Sequence, residues 1–154
     1  MSEYRYATYQ VKGLAVYVAG AFSAESTLAI GRNIHRGISK AVEVLKQEGM
    51  IPYCPWLDFL FSVVTGTVIE SEEIYEYSMD WLRRCDALLV VEGWEESAGT
   101  KVEIGEAVSL GKPVFYDIDR LLVWKTLLDC EDDIRGLTGA AGMTHRLRLK
   151  DKGE

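Results

Sequence analysis

The chain has 154 residues, 48% of them hydrophobic and 27% charged, and a formal net charge of −7. That length suits one domain that buries its core without metal or disulfide staples. The negative charge repels polyanions, so no nucleic acid polymer is expected as a partner, and the short tail Arg146, Arg148, Lys150 is the only basic stretch.

The apolar runs fall far short of the roughly 20 residues that cross a bilayer, so no membrane partner is expected. The opening MSEYRYATYQ lacks an apolar core, and no secretory leader is expected there. Cys54, Cys85 and Cys130 form no CxxC pair and lie in or beside apolar segments, the pattern of reduced, buried thiols in a cytoplasmic protein.

In chain order, Leu14 to Ala19 reads as a strand ending at Gly20, and the loop Ala21 to Thr27 leads into a helix. Its apolar face runs Ile30, Ile34, Ile38, Ala41, Val42, Leu45, and Gly49 stops it. Ile51 to Cys54 is a short strand cut off by Pro52 and Pro55, and Trp56 to Val64 is a short helix or a packed loop. Glu70 to Arg84 is helical, with Ile74, Ser78, Trp81, Leu82 and Cys85 on one face. Asp86 to Val91 is a strand, Thr100 to Leu110 a helix, Pro113 to Ile118 a strand and Leu121 to Leu128 a helix; His145 to Leu149 adds an edge strand. Strands separated by helices predict an α/β fold: a single-domain, flavodoxin/Rossmann-like three-layer sandwich on a parallel sheet of about five strands. The domain is expected to span 1–154, with a core over about 14–130 and a C-terminal tail over 131–154.

Two histidines, His35 and His145, leave almost no material for a Ser-His-Asp triad or a multi-histidine metal site. No GxGxxG follows the first strand and no GxxxxGKS/T occurs, so no dinucleotide or Walker loop is expected. No metal or cofactor is expected, and carboxylates and hydroxyls must carry any reaction. The segment Ser97 to Ala107, SAGTKVEIGEA, places the Glu103 carboxylate in the first turn of a helix, behind a serine and a Gly-Thr turn. It follows an apolar strand, and ligands of open α/β sheets settle at that end of a strand. The same spacing has a second meaning: Thr100-x-x-Glu103 is a capping box, in which the glutamate only returns a hydrogen bond to the cap.

Tyr17 and Gly20 in VYVAGAFS, Asp86 in CDALLVV, and Ser97, Gly99, Glu103 and Gly105 in SAGTKVEIGEA resemble the nucleoside 2-deoxyribosyltransferase superfamily over about Leu14 to Asp117. Serine at the start of S-x-G-x-x-x-E is similar to the branch that cleaves nucleoside 5'-monophosphates, including CMP and hydroxymethyl-CMP hydrolases and the deoxynucleotide N-hydrolase. The resemblance implies that Glu103 attacks the sugar to give a covalent ester, and that Tyr17 hydrogen-bonds and aims it. A first-turn position favours the anionic carboxylate. Ser97, the amides around Gly99 and Thr100, and Ser23 from the first loop would hold a 5'-phosphate. Phe22 and Trp94 would stack a base.

One departure stands out. Where family enzymes often carry a second aspartate in the substrate site, this chain has Ser78. Asp80 lies on a different helix face, and Asp86 is expected to cap or pack. The predicted function is an N-glycosidase of a (deoxy)ribonucleoside 5'-monophosphate, a small-molecule partner, in a homo-oligomer (dimer or tetramer). The rivals are a base-exchanging deoxyribosyltransferase and a non-catalytic nucleotide-binding module. A cytokinin-activating type of phosphoribohydrolase is echoed only in part, since Ser97-Ala98 replaces that family's paired glycines.

Overall fold

In a computed structural model, which describes the backbone of residues 13–150 and the side chains of 13–133 and 135, the first strand β1 (Leu14–Ala19) is the spine of a four-stranded parallel sheet. β2 (Met50–Tyr53), β3 (Ala87–Val90) and β4 (Val114–Phe115) complete it in the order β2-β1-β3-β4. β1 pairs with β2 on one side, Tyr17 opposite Tyr53, and with β3 on the other, Tyr17 opposite Leu88. Val16 to Ala19 and all of β3 are buried because helices cover both faces, which is why these strands read as continuous apolar runs. Pro52 lies within β2, opposite Val16; its missing N–H is tolerated because β2 is an edge strand.

The side-chain alternation of β1 sorts the core into two layers. Tyr17 and Ala19 join Leu88 and Val90 against Met79 and Leu82 of helix α3 (Ser71–Arg84), its cap residue Cys85, and Ala107 of helix α4 (Ala98–Ser109). Val18 and Val91 pack on the other face with Trp56 and with Ala41 of helix α1 (Thr27–Leu45). This is the expected three-layer arrangement, with four strands rather than about five.

Ser26 caps α1 by accepting from the Ala29 N–H at 3.2 Å. The face of α1 that is buried is Gly37, Ala41 and Val44. Val42 and Leu45, expected on the apolar face, are exposed. The helix is rotated by Trp56, whose indole occupies the space a Cβ on Gly37 would need; only a glycine lets the helix lie against that ring. Trp56 sits in a 3-10 turn (Pro55–Leu57), followed by helix α2 (Leu60–Thr65). On α3 the buried residues are Ser78, Met79 and Leu82, while Trp81 is half-exposed, stacked flat on Tyr53.

The C-terminal expectations change most. Helix α5 (Ile118–Lys150) replaces both the end of the strand expected over Pro113 to Ile118 and the edge strand expected at His145 to Leu149. No proline follows Pro113, and the Arg, Leu and Lys of the tail propagate a helix readily. The chain divides into two compact units at Ile118/Asp119. The first holds the sheet and α1 to α4; the second is built on α5, where Lys125 pairs with Asp129 at 2.6 Å. The cysteines are unlike one another. Cys85 is buried, Cys54 intermediate and Cys130 exposed, so the buried setting expected of all three holds fully for Cys85 alone. No helix among the described residues is long and apolar enough to cross a membrane.

Candidate active site

After β1 the chain runs through α1 to β2 on one side, then returns through α3 to β3 on the other. The order therefore reverses at β1, which puts the topological switch point between the carboxyl ends of β1 and β3, where ligands of such sheets bind. Two loops border it, 20–26 after β1 and 91–97 after β3. Both are tied down from α1 and its neighbour: Asn33 donates to the Phe22 and Ser23 carbonyls, Arg36 to the Glu92 carbonyl at 3.1 Å, and the Trp56 indole to the Ala21 carbonyl at 3.1 Å.

Tyr17 of β1 and Glu103 of α4 meet near this switch point, the tyrosine hydroxyl donating to Glu103 Oε1 at 2.7 Å. α4 begins at Ala98 with Ser97 as its cap, so Glu103 lies in the second turn and not the first. Both readings built on a start at Thr100 change. The capping pair is Ser97 with Thr100: Ser97 Oγ accepts from the Thr100 N–H at 3.2 Å and from Thr100 Oγ1 at 2.9 Å. Glu103 is bonded to Tyr17, not to a cap. The expected help from the helix dipole fades, because that effect falls off after the first turn. Burial instead pushes the Glu103 carboxyl up to about 7, against a smaller lowering by the Tyr17 hydrogen bond. Burial and the adjacent Glu103 carboxylate raise the Tyr17 phenol far above its ordinary value, so it stays protonated and remains the donor.

The other expected residues divide by location. Ser97 and Gly99 stand at the start of α4 beside Thr100, whose amide is already used by Ser97; the first i→i−4 donor of the helix is Lys101, leaving the preceding amides of Ala98 and Gly99 outside the helical ladder. Ser23 is exposed on the facing loop. Phe22 lies on the rim with its ring 6.1 Å from Phe59, and Trp94, half-buried, packs 5.6 Å from Tyr116. Gly20 has a packing reason to be glycine: a Cβ there would come within 2.9 Å of the Trp56 ring and 3.0 Å of Val91 Cβ. Asp86 ties strands together, accepting from the Ala15 N–H at 2.8 Å, and Asp80 faces outward to Arg83 and Arg84.

Ser78 is buried and its hydroxyl donates to Asp58 Oδ2 at 3.2 Å. Asp58 went unnoticed in the sequence because it lies in the aromatic run after β2, whose pattern speaks of packing. The available signal was its place three residues past Pro55, at the ligand end of a strand. Tyr53 also donates to Asp58 Oδ2, at 2.7 Å, and its ring lies 5.4 Å from that of Tyr17. Two carboxylates are thus linked through two tyrosines whose rings are in contact.

A doubly wound sheet with a tyrosine-held glutamate beneath its switch point defines an α/β protein built to act on a small ligand. The nucleoside 2-deoxyribosyltransferase family model matches residues 16–123, and the chain belongs to that family, whose members are enzymes acting on nucleoside glycosidic bonds. Among solved structures, a 2-deoxyribosyltransferase from the psychrotolerant bacterium Bacillus psychrosaccharolyticus is 26% identical, with 65% of this chain and 69% of that one covered and a TM-score of 0.47. A 2-desoxiribosyltransferase from Leishmania mexicana is 21% identical, with 66% of this chain and 61% of that one covered and a TM-score of 0.45. No curated protein matches.

Proposed function

We propose that this chain is an N-glycosidase that hydrolyses the base–sugar bond of a (deoxy)ribonucleoside 5'-monophosphate, by a retaining route through an ester on Glu103. The observation that carries the reading is the 2.7 Å bond from Tyr17 to Glu103 beneath the switch point. It fixes one carboxylate oxygen and leaves the other for the anomeric carbon. A carboxyl held near 7 is poised between nucleophile and acid at neutral pH. As Glu103 bonds to the sugar carbon, the bond to the base breaks; water then attacks the same carbon and frees the carboxylate.

Phosphate selection rests on the start of α4. Ser97 accepts both of its bonds with Thr100, so its own hydroxyl proton is left to donate. Together with the amides of Ala98 and Gly99 it offers donors at a helix N-terminus, which suits a 5'-phosphate. Phe22 on the rim and the resemblance of GTKVEIG to CMP hydrolases favour a pyrimidine base. The family match favours base exchange as a second reading. Exposed Leu60, Phe61, Val63 and Val64 on α2 suit burial against another copy in a homo-oligomer, acting in the cytoplasm.

Incubation with a panel of nucleoside 5'-monophosphates, followed by mass spectrometry, tests the proposal. Free base, sugar phosphate and a sugar adduct on Glu103 are expected. Binding without release of base from any panel member overturns catalysis in favour of a sensor. A new nucleoside on adding free base identifies the transferase.

A further inference from the structure

Asp58 is 5% exposed, and among the described residues it makes no ion pair. Its partners are two neutral hydroxyls, Tyr53 and Ser78, and both donate to the same oxygen, Oδ2. Oδ1 carries neither. A carboxyl kept at such depth without a cation is costly, and the cost falls if it holds a proton. The surroundings repeat those of Glu103: each carboxyl takes a 2.7 Å bond from a tyrosine, and the two tyrosine rings are neighbours across the β1–β2 pairing. The ring of the next residue, Phe59, packs on Phe22 of the first loop.

We propose that Asp58 is the second carboxyl of the reaction, giving a proton to the departing base and later taking one from water. This rests on Glu103 being the nucleophile. In the first half, a bond forms between Glu103 oxygen and the anomeric carbon, and the bond to the base nitrogen breaks with its electron pair on the base. The Asp58 proton passes to the base. In the second half, water oxygen bonds to the anomeric carbon and its proton goes to the Asp58 carboxylate, while the ester bond breaks and its electrons return to Glu103. Paired carboxyls with these two duties are the common solution for glycoside cleavage.

The assignment also accounts for Ser78. An aspartate at 78 would set a second anion within hydrogen-bonding distance of Asp58, whereas serine donates to it. The titratable groups that sense Asp58 are Tyr17, Tyr53 and Cys54, and burial raises all three, so they remain uncharged at neutral pH. Burial raises Asp58 as well, and its bonds from Tyr53 and Ser78 pull it part of the way back.

The test compares Asp58→Asn with the unaltered protein on two leaving groups. A pyrimidine 5'-monophosphate needs a proton on its base, whereas an N7-methylguanine nucleotide carries a base that is already cationic and departs neutral without one. Asp58→Asn should lower kcat on the first by about 10²–10⁴-fold and on the second by less than about tenfold, with KM little changed. Equal losses on both, with Glu103-dependent turnover intact in the parent, overturn Asp58 alone. A parent that releases base from neither substrate overturns the Glu103 reading and this proposal with it. If Asp58→Asn does not fold, Ser78→Ala decides. Losing that donor raises the Asp58 carboxyl, so the basic limb of kcat/KM should move to higher pH for the pyrimidine substrate only, and an unmoved limb refutes the role.

Discussion

Tyr17 and Glu103 stand 86 positions apart in the chain, yet the phenol of one donates to the carboxylate of the other at 2.7 Å. The contact joins the central strand to the second turn of α4 and places a carboxyl where burial works against its charge.

Replacing Glu103 with Gln keeps the acceptor for Tyr17 and removes the nucleophile. Base release should vanish while the fold persists. The stability effect has a definite sign: the folded-state value, raised to about 7, makes Glu103's contribution fully present below the ordinary carboxylate range and lost as pH rises through about 7. Relative to their difference at low pH, Glu103→Gln should therefore gain on the parent by roughly 3 kcal/mol above that pH. Denaturant midpoints at pH 5 and pH 8 check this, and a variant equally stable relative to the parent at both would contradict the buried carboxyl.

Activity should carry an acid limb near pH 7, where Glu103 becomes ionised. Tyr17→Phe removes the bond that lowers this carboxyl, so the limb should move upward. A hydrogen bond to a charged group is worth about 1.5–3 kcal/mol, and kcat/KM at neutral pH should drop by about one to two orders of magnitude. A pH–rate profile of Tyr17→Phe superimposable on the parent's would show that the phenol does not act on Glu103.

Ser97→Asp retains an oxygen able to cap α4, so melting should change little. The added charge repels a 5'-phosphate, and turnover of monophosphates should fall well below that of the corresponding nucleosides. Side-by-side kinetics on the two substrate types decide; equal losses would remove the phosphate from the start of α4.

Gly37→Ala forces a Cβ into the Trp56 ring. Overpacking of a filled core costs about 1–3 kcal/mol, and because Trp56 also holds the Ala21 carbonyl, the first loop should loosen with it. Chemical denaturation together with amide exchange at 20–24 reports both effects, and parent-like exchange there would separate Trp56 from the loop.

The alternating strands and helices were legible from local pattern, because burial on both faces makes β1 and β3 continuous apolar runs and amphipathic spacing marks α1 and α3. The S-x-G-x-x-x-E segment was likewise visible as one loop running into one helix. What local pattern misjudged was rotation and extent: Trp56 against Gly37 sets which face of α1 is buried, and the cap at Ser97 moves Glu103 into the second turn. Asp58 was hidden for a deeper reason. Its meaning depends on Tyr53 and on Ser78, twenty positions away, and such a partnership exists only once β2 lies beside β1 and α3 packs over both. Periodicity along a chain reports how much of a segment is buried; it carries no record of which distant polar groups will share the space, and there the tertiary structure alone decided.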